Sequence, residues 1–146
     1  MSNYYYSQKY GGYKNFGIGE PTMEQAGCVI TGLAMILSYY NDSPYYPDQM
    51  LSWGRENGML TEQGYTRFEV FPLATNNKLR LSSKADANED EVTYAIRECV
   101  LDSGLNHWVI DHPIQADKII DTWNGLVYSY TKYNYTGRVN YYIGKK

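Results

Sequence analysis

The chain is short of the residues that most often announce a function. Its 146 residues include two cysteines, Cys28 and Cys99, and two histidines, His107 and His112. Two cysteines cannot build a disulfide-dense scaffold. No CxxC or short HxxxH pair gathers these four side chains as zinc ligands, so neither a metal nor a cofactor is expected. Lys and Arg number 13 against 16 Asp and Glu, a net charge of −3. Without a basic excess to neutralise phosphates, nucleic-acid binding is not expected. No apolar run of about 18 residues occurs, so no membrane insertion is expected. The stretch from Met1 to Glu20 is polar and lacks the apolar core of a signal peptide. Synthesis in the cytoplasm is therefore expected, with the final site of action left open to the cell wall or a virion. Phe and Trp are scarce at three each, whereas Tyr reaches 17. An apolar ring with a polar tip suits half-wet strands and loops, and also stacking surfaces for sugars or peptides.

The length and the 43% hydrophobic content fit one domain over residues 1–146. Residues 1–21 read as a Tyr- and Gly-rich arm, because Tyr4-Tyr5-Tyr6, Gly11-Gly12, Gly17 and Gly19 follow no helical period. A helix is expected from about Gly27 to Tyr40. Val29, Ile30, Leu33, Ile36, Leu37 and Tyr40 recur at helical spacing, and Gly32 and Ala34 leave room for a close neighbour. A second helix should follow Pro47. Asn88 with Glu91 resembles a capping box, and Val92, Ala95, Ile96, Cys99 and Val100 then predict a third helix ending at Gly104. Cys99 would lie on its buried stripe as a structural thiol, and a disulfide with Cys28 is not expected. Beyond Gly104 the period changes to two. Strands are expected over Asn106–Asp111, Asp117–Trp123, Leu126–Tyr130 and Arg138–Ile143. Helices followed by an antiparallel sheet make an α+β plan.

Cys28 is the centre of interest, because it falls where the first helix should begin. Unpaired backbone N–H groups at a helix start favour the nucleophilic thiolate. A reactive thiol also needs a base and an orienting group. Alternation along the strand puts His107, Val109 and Asp111 on one face and Trp108, Ile110 and His112 on the other. Folding the next strand back about Ile114 sets His107 opposite Asp121, Val109 opposite Ile119 and Asp111 opposite Asp117. A carboxylate there would reach the imidazole and fix its tautomer. Gln25, three residues before Cys28, could donate to an oxyanion alongside the Cys28 backbone N–H.

The segment Gln25-Ala26-Gly27-Cys28-Val29-Ile30-Thr31-Gly32-Leu33-Ala34-Met35-Ile36-Leu37-Ser38-Tyr39-Tyr40 resembles the nucleophile segment of papain-like cysteine peptidases. It is most similar to the bacterial group related to double-glycine leader (bacteriocin-processing) peptidases. Asn106-His107-Trp108-Val109-Ile110 resembles that group's histidine strand, and Ile119-Ile120-Asp121-Thr122-Trp123 its aspartate strand. The resemblance spans residues 22–125. It departs at Val29-Ile30, where Gly-Pro is frequent, at Gly32, where Ser is frequent, and at Thr122, where Pro is usual.

The resemblance implies a papain-like α+β fold in which Cys28 is the nucleophile, His107 the general base, Asp121 the orienter and Gln25 the oxyanion donor. The implied activity is a thiol protease that cleaves a peptide or amide bond through an acyl-enzyme. Its partner would be a peptide, or the peptide part of bacterial peptidoglycan as for a phage or bacterial lysin. No ATP-binding cassette or membrane domain is present, so a peptidase fused to an exporter is not expected. The alternative is the same fold kept as a non-catalytic binding or structural module, such as a virion or host-interaction protein.

Overall fold

In the computed structural model, residues 2–146 are described; Met1, the first residue of the expected arm, lies outside them. Helices α1 (Met23–Ala26), α2 (Cys28–Asn41) and α3 (Pro47–Glu56) precede a 3-10 helix, Phe68–Thr75. Six strands follow: β1 (Leu79–Ser82), β2 (Glu91–Val100), β3 (Asn106–Asp111), β4 (Lys118–Asp121), β5 (Val127–Ser129) and β6 (Asn134–Lys145). They form one antiparallel sheet in the order β1-β6-β2-β3-β4-β5. This is the expected α+β plan. No helix among the described residues is long and apolar enough to cross a membrane.

Helix α2 is the central element. Every residue from Val29 to Tyr40 is buried, as expected of a helix covered on all sides. It can lie close to the sheet because Gly32 has no side chain. A Cβ there would sit 2.9 Å from Ile96 Cδ1 and 3.1 Å from Ile110 Cγ2. Pro47 opens α3 at a position where its missing N–H costs nothing, and Met50 and Leu51 turn inward.

The expected third helix is a strand, β2. The five apolar residues that suggested helical spacing lie on both faces of a doubly covered strand. Tyr94 and Ile96 pack toward α2, whereas Cys99 joins Val109 and Ile119 in a small second core. Burial on both faces removes the period-two alternation, and Val92, Thr93, Tyr94 and Ile96 favour extended backbone. The reach-back that resembled a capping box is present. Glu91 Oε1 accepts from Asn88 N at 2.9 Å, and Glu91 also pairs with Arg80 at 2.6 Å. It closes a turn that feeds a strand.

The arm is ordered against the domain. Tyr4 and Tyr13 are buried and Ile18 is fully covered. Tyr4 donates to Asp42 at 3.0 Å, and Tyr6 shares a 3.0 Å hydrogen bond with Ser38 of α2. At Gly125, with φ +72°, the backbone of Tyr6 comes so close that a Cβ would sit 3.1 Å from it.

Candidate active site

Cys28 is the first residue of α2, following the N-cap Gly27. The break between α1 and α2 is tight: a Cβ on Gly27 would meet Met23 O at 2.4 Å. The first N–H groups of α2 have no intrahelical acceptor, and the Cys28 side chain stands among them, partly exposed. Across from it, β3 begins with Asn106 and His107.

The register of β3 and β4 differs from expectation by two residues. Val109 faces Asp121, Ile110 faces Ile120, and Asp111 faces Ile119. The turn is centred on Gln115 rather than Ile114, and His112 explains why. Its Nδ1 accepts from the backbone N–H groups of Ile114 and Gln115, both at 3.1 Å. Asp117 takes up the remaining reversal with φ +61°. The slip preserves the face, so Asp121 remains a diagonal neighbour of His107. Its Oδ1 accepts from His107 Nε2 at 2.7 Å.

Asp121 is thoroughly held. Oδ1 also accepts from Trp123 N at 2.8 Å, and Oδ2 accepts from the Tyr133 hydroxyl. Burial pushes the Asp121 carboxyl up, but the bonds from His107, Tyr133 and Trp123 outweigh it and hold the carboxyl below its usual range. Burial would likewise lower His107. The hydrogen bond to Asp121 and the nearby Cys28 overcome that and push the imidazole up to about 9. Because Nε2 serves Asp121, Nδ1 is the nitrogen left for Cys28. Thr122 Oγ1 stands 3.4 Å from Nε2 and donates to Trp108 O at 2.7 Å, pinning β4 to β3 beside the ring. Cys99 is fully buried, and burial, then Asp121 and Cys28, push its thiol up to about 12.

The structure therefore brings Cys28, His107 and Asp121 together. It does not bring Gln25 to them. Gln25 is exposed in α1, where its Oε1 accepts from Thr22 N at 3.0 Å and its own N–H donates to Thr22 Oγ1. The side chain expected at the oxyanion closes a capping box instead.

Two residues of the site had no signal in the sequence. Tyr133 reaches Asp121 because β6 and the loop before it curl back over Cys99 and Val109. Its hydroxyl is pushed up by burial and by Asp121, so it stays a donor. Gln8, buried in the arm, donates from its backbone to Thr122 O at 2.8 Å and from Nε2 to Glu24 O at 2.9 Å. It ties the segment after Asp121 to the helix before Cys28.

No protein-family model and no curated protein matches the chain. Among solved structures it is similar to the peptidase domain of Streptococcus ComA, a bi-functional ABC transporter involved in a quorum-sensing pathway. The identity is 16%, the TM-score is 0.53, and the match covers 84% of this chain and 93% of that one. At that identity the likeness establishes the fold: helices packed on an antiparallel sheet, as in that peptidase domain. This is the fold expected from the resemblance to double-glycine leader peptidases.

Proposed function

We propose that the chain is a papain-like cysteine peptidase acting through Cys28, His107 and Asp121. The observation that carries this reading is the 2.7 Å bond from His107 to a buried carboxylate with three hydrogen-bond donors, on an imidazole that a cysteine at a helix start also helps to raise. In the reaction, the Cys28 thiolate attacks the acyl carbon and a C–S bond forms. The oxyanion of the tetrahedral intermediate is met by the Cys28 backbone N–H and the first turn of α2. Protonated His107 gives its proton to the leaving nitrogen as the C–N bond breaks. Water then attacks the thioester, His107 takes its proton, and the thiolate departs to leave a carboxylic acid. Asp121 holds the ring so that Nδ1 faces the sulfur throughout.

Gln25 would join as a second oxyanion donor only by leaving the α1 cap. The substrate is a peptide, with the peptide part of bacterial cell wall as the leading class to test. Turnover of peptide mixtures and of purified cell wall by the wild type, lost in Cys28→Ala, is the expected result. A Cys28→Ala protein with full biological effect would instead favour a binding or structural module.

A further inference from the structure

Beside the segment that carries Asp121 opens a cleft of about 590 Å³ that the triad does not use. Its walls include the rings of Tyr5, Tyr6, Tyr10 and Tyr13 from the arm and Tyr46 from the approach to α3, together with the Asp48 carboxylate. Tyr6 and Tyr46 lie 5.5 Å apart between centroids, and Tyr10 and Tyr13 lie 5.2 Å apart. The Tyr13 hydroxyl is spent on Ser7 O at 2.8 Å and that of Tyr6 on Ser38, and Tyr13 is buried, so the π surface open to a ligand comes mainly from the exposed rings of Tyr5, Tyr10 and Tyr46.

The charge is one-sided. Asp48 has no ion-pair partner among the described residues, and no Lys or Arg lines the cleft. Tyrosine faces attract cations through the ring quadrupole, and a carboxylate beside them adds direct Coulomb attraction. Rings alone would also suit a sugar; the unpaired carboxylate among them selects a cation and repels an anion.

The cleft is joined to the site by short connections. Ser7, on its wall, donates to Trp123 O at 2.7 Å, and the next residue, Gln8, bonds Thr122 O. Asn124, also on the wall, follows Asp121 by three residues.

We propose that this arm-built cleft is a substrate subsite that takes a cationic side chain, a lysine-type ammonium or an arginine guanidinium, of the peptide presented to Cys28. The proposal rests on the peptidase reading for what the bound peptide is for, but its test is independent of catalysis. Cys28→Ala protein is titrated with three capped tripeptides, Ala-Lys-Ala, Ala-Gln-Ala and Ala-Glu-Ala, and with a chitin disaccharide, following backbone amide shifts. The lysine peptide is expected to shift the amides of Tyr5, Tyr10, Tyr13 and Asp48 and to bind about tenfold tighter than the glutamine peptide. Asp48→Asn should cut that preference by about fivefold, and Tyr10→Ala should weaken the lysine peptide with its amide shifts moved off the arm.

Equal binding of the lysine and glutamine peptides would overturn the proposal. So would an unchanged preference in Asp48→Asn, binding by the disaccharide alone, or no shift at these amides. Because Cys28→Ala turns nothing over, these outcomes stand whether or not the wild type proves to be a peptidase. An inert Cys28 in the wild type would sink the peptidase reading and leave the cleft's cation binding intact.

Discussion

His107 and His112 sit on one strand and its edge, on opposite faces, and both are 6% exposed. Burial alone would make them alike, for it penalises the charged imidazole in each. Their partners make them opposites. His107 faces a carboxylate and a cysteine and is pushed up to about 9. His112 faces two backbone N–H groups, the Tyr5 hydroxyl at 3.0 Å and Gln115, with no carboxylate among them, and burial holds it below its ordinary value. Since its Nδ1 accepts twice, the proton of neutral His112 sits on Nε2 and goes to Tyr5. One histidine is held beside a carboxylate and a cysteine; the other holds a turn and the arm.

The largest break in this symmetry should come from replacing the two rings. His107→Ala is expected to slow hydrolysis by about 10³-fold, whereas His112→Gln should keep it within about threefold once both proteins are shown to be folded. A comparable loss in His112→Gln would erase the distinction. Asp121→Asn keeps the shape but not the charge that orients the ring, and is expected to cost about 10²-fold in kcat with little change in KM.

Stability against pH should then run in opposite directions for the two sites. His107 is raised in the folded chain, so its contribution is fully present below the unfolded value of 6.5 and is lost as pH rises through about 9. His112 is lowered, so the folded chain takes up its proton less readily than the unfolded one. Its contribution is present above 6.5 and fades as pH falls. Denaturant unfolding across pH should show the deficit of His107→Gln, on the order of 2–3 kcal/mol, shrinking toward alkaline pH. The deficit of His112→Gln should shrink toward acid. Parallel curves would mean that the two rings titrate alike.

Smaller effects sharpen the picture around Asp121 and α1. Tyr133→Phe removes one hydroxyl from the carboxylate and is expected to reduce the rate about three- to tenfold and to shift the alkaline limb of the pH–rate profile. An unchanged profile would make Tyr133 packing only. Gln25→Ala should cost about 1 kcal/mol of stability through the lost cap and change turnover by less than tenfold. A loss of about 10²-fold would return Gln25 to the oxyanion.

Much of this was legible in the sequence, for local reasons. The run from Val29 to Tyr40 is long and periodic, so the start of α2 at Cys28 followed from it. The pairing of His107 with Asp121 followed from strand alternation, which survives a slip of two residues but not of one. The slip itself was hidden because His112 shapes the turn with its ring, an interaction no dipeptide signal carries. Residues 91–100 misled because a strand covered on both sides loses its alternation and can match helical spacing by chance. Tyr133 and Gln8 reach the site through long-range folding of β6 and of the arm. Nothing adjacent to them in the chain marks either one.

The central claim is that Cys28 is an activated nucleophile because of His107. Iodoacetamide treatment near neutral pH, with adducts mapped by mass spectrometry, tests it without knowledge of the substrate. The expected result is labelling of Cys28 at least about tenfold faster than Cys99, slowed by His107→Ala and untouched by His112→Gln. Equal labelling of the two cysteines, an inert Cys28, or the same Cys28 rate in His107→Ala would contradict it.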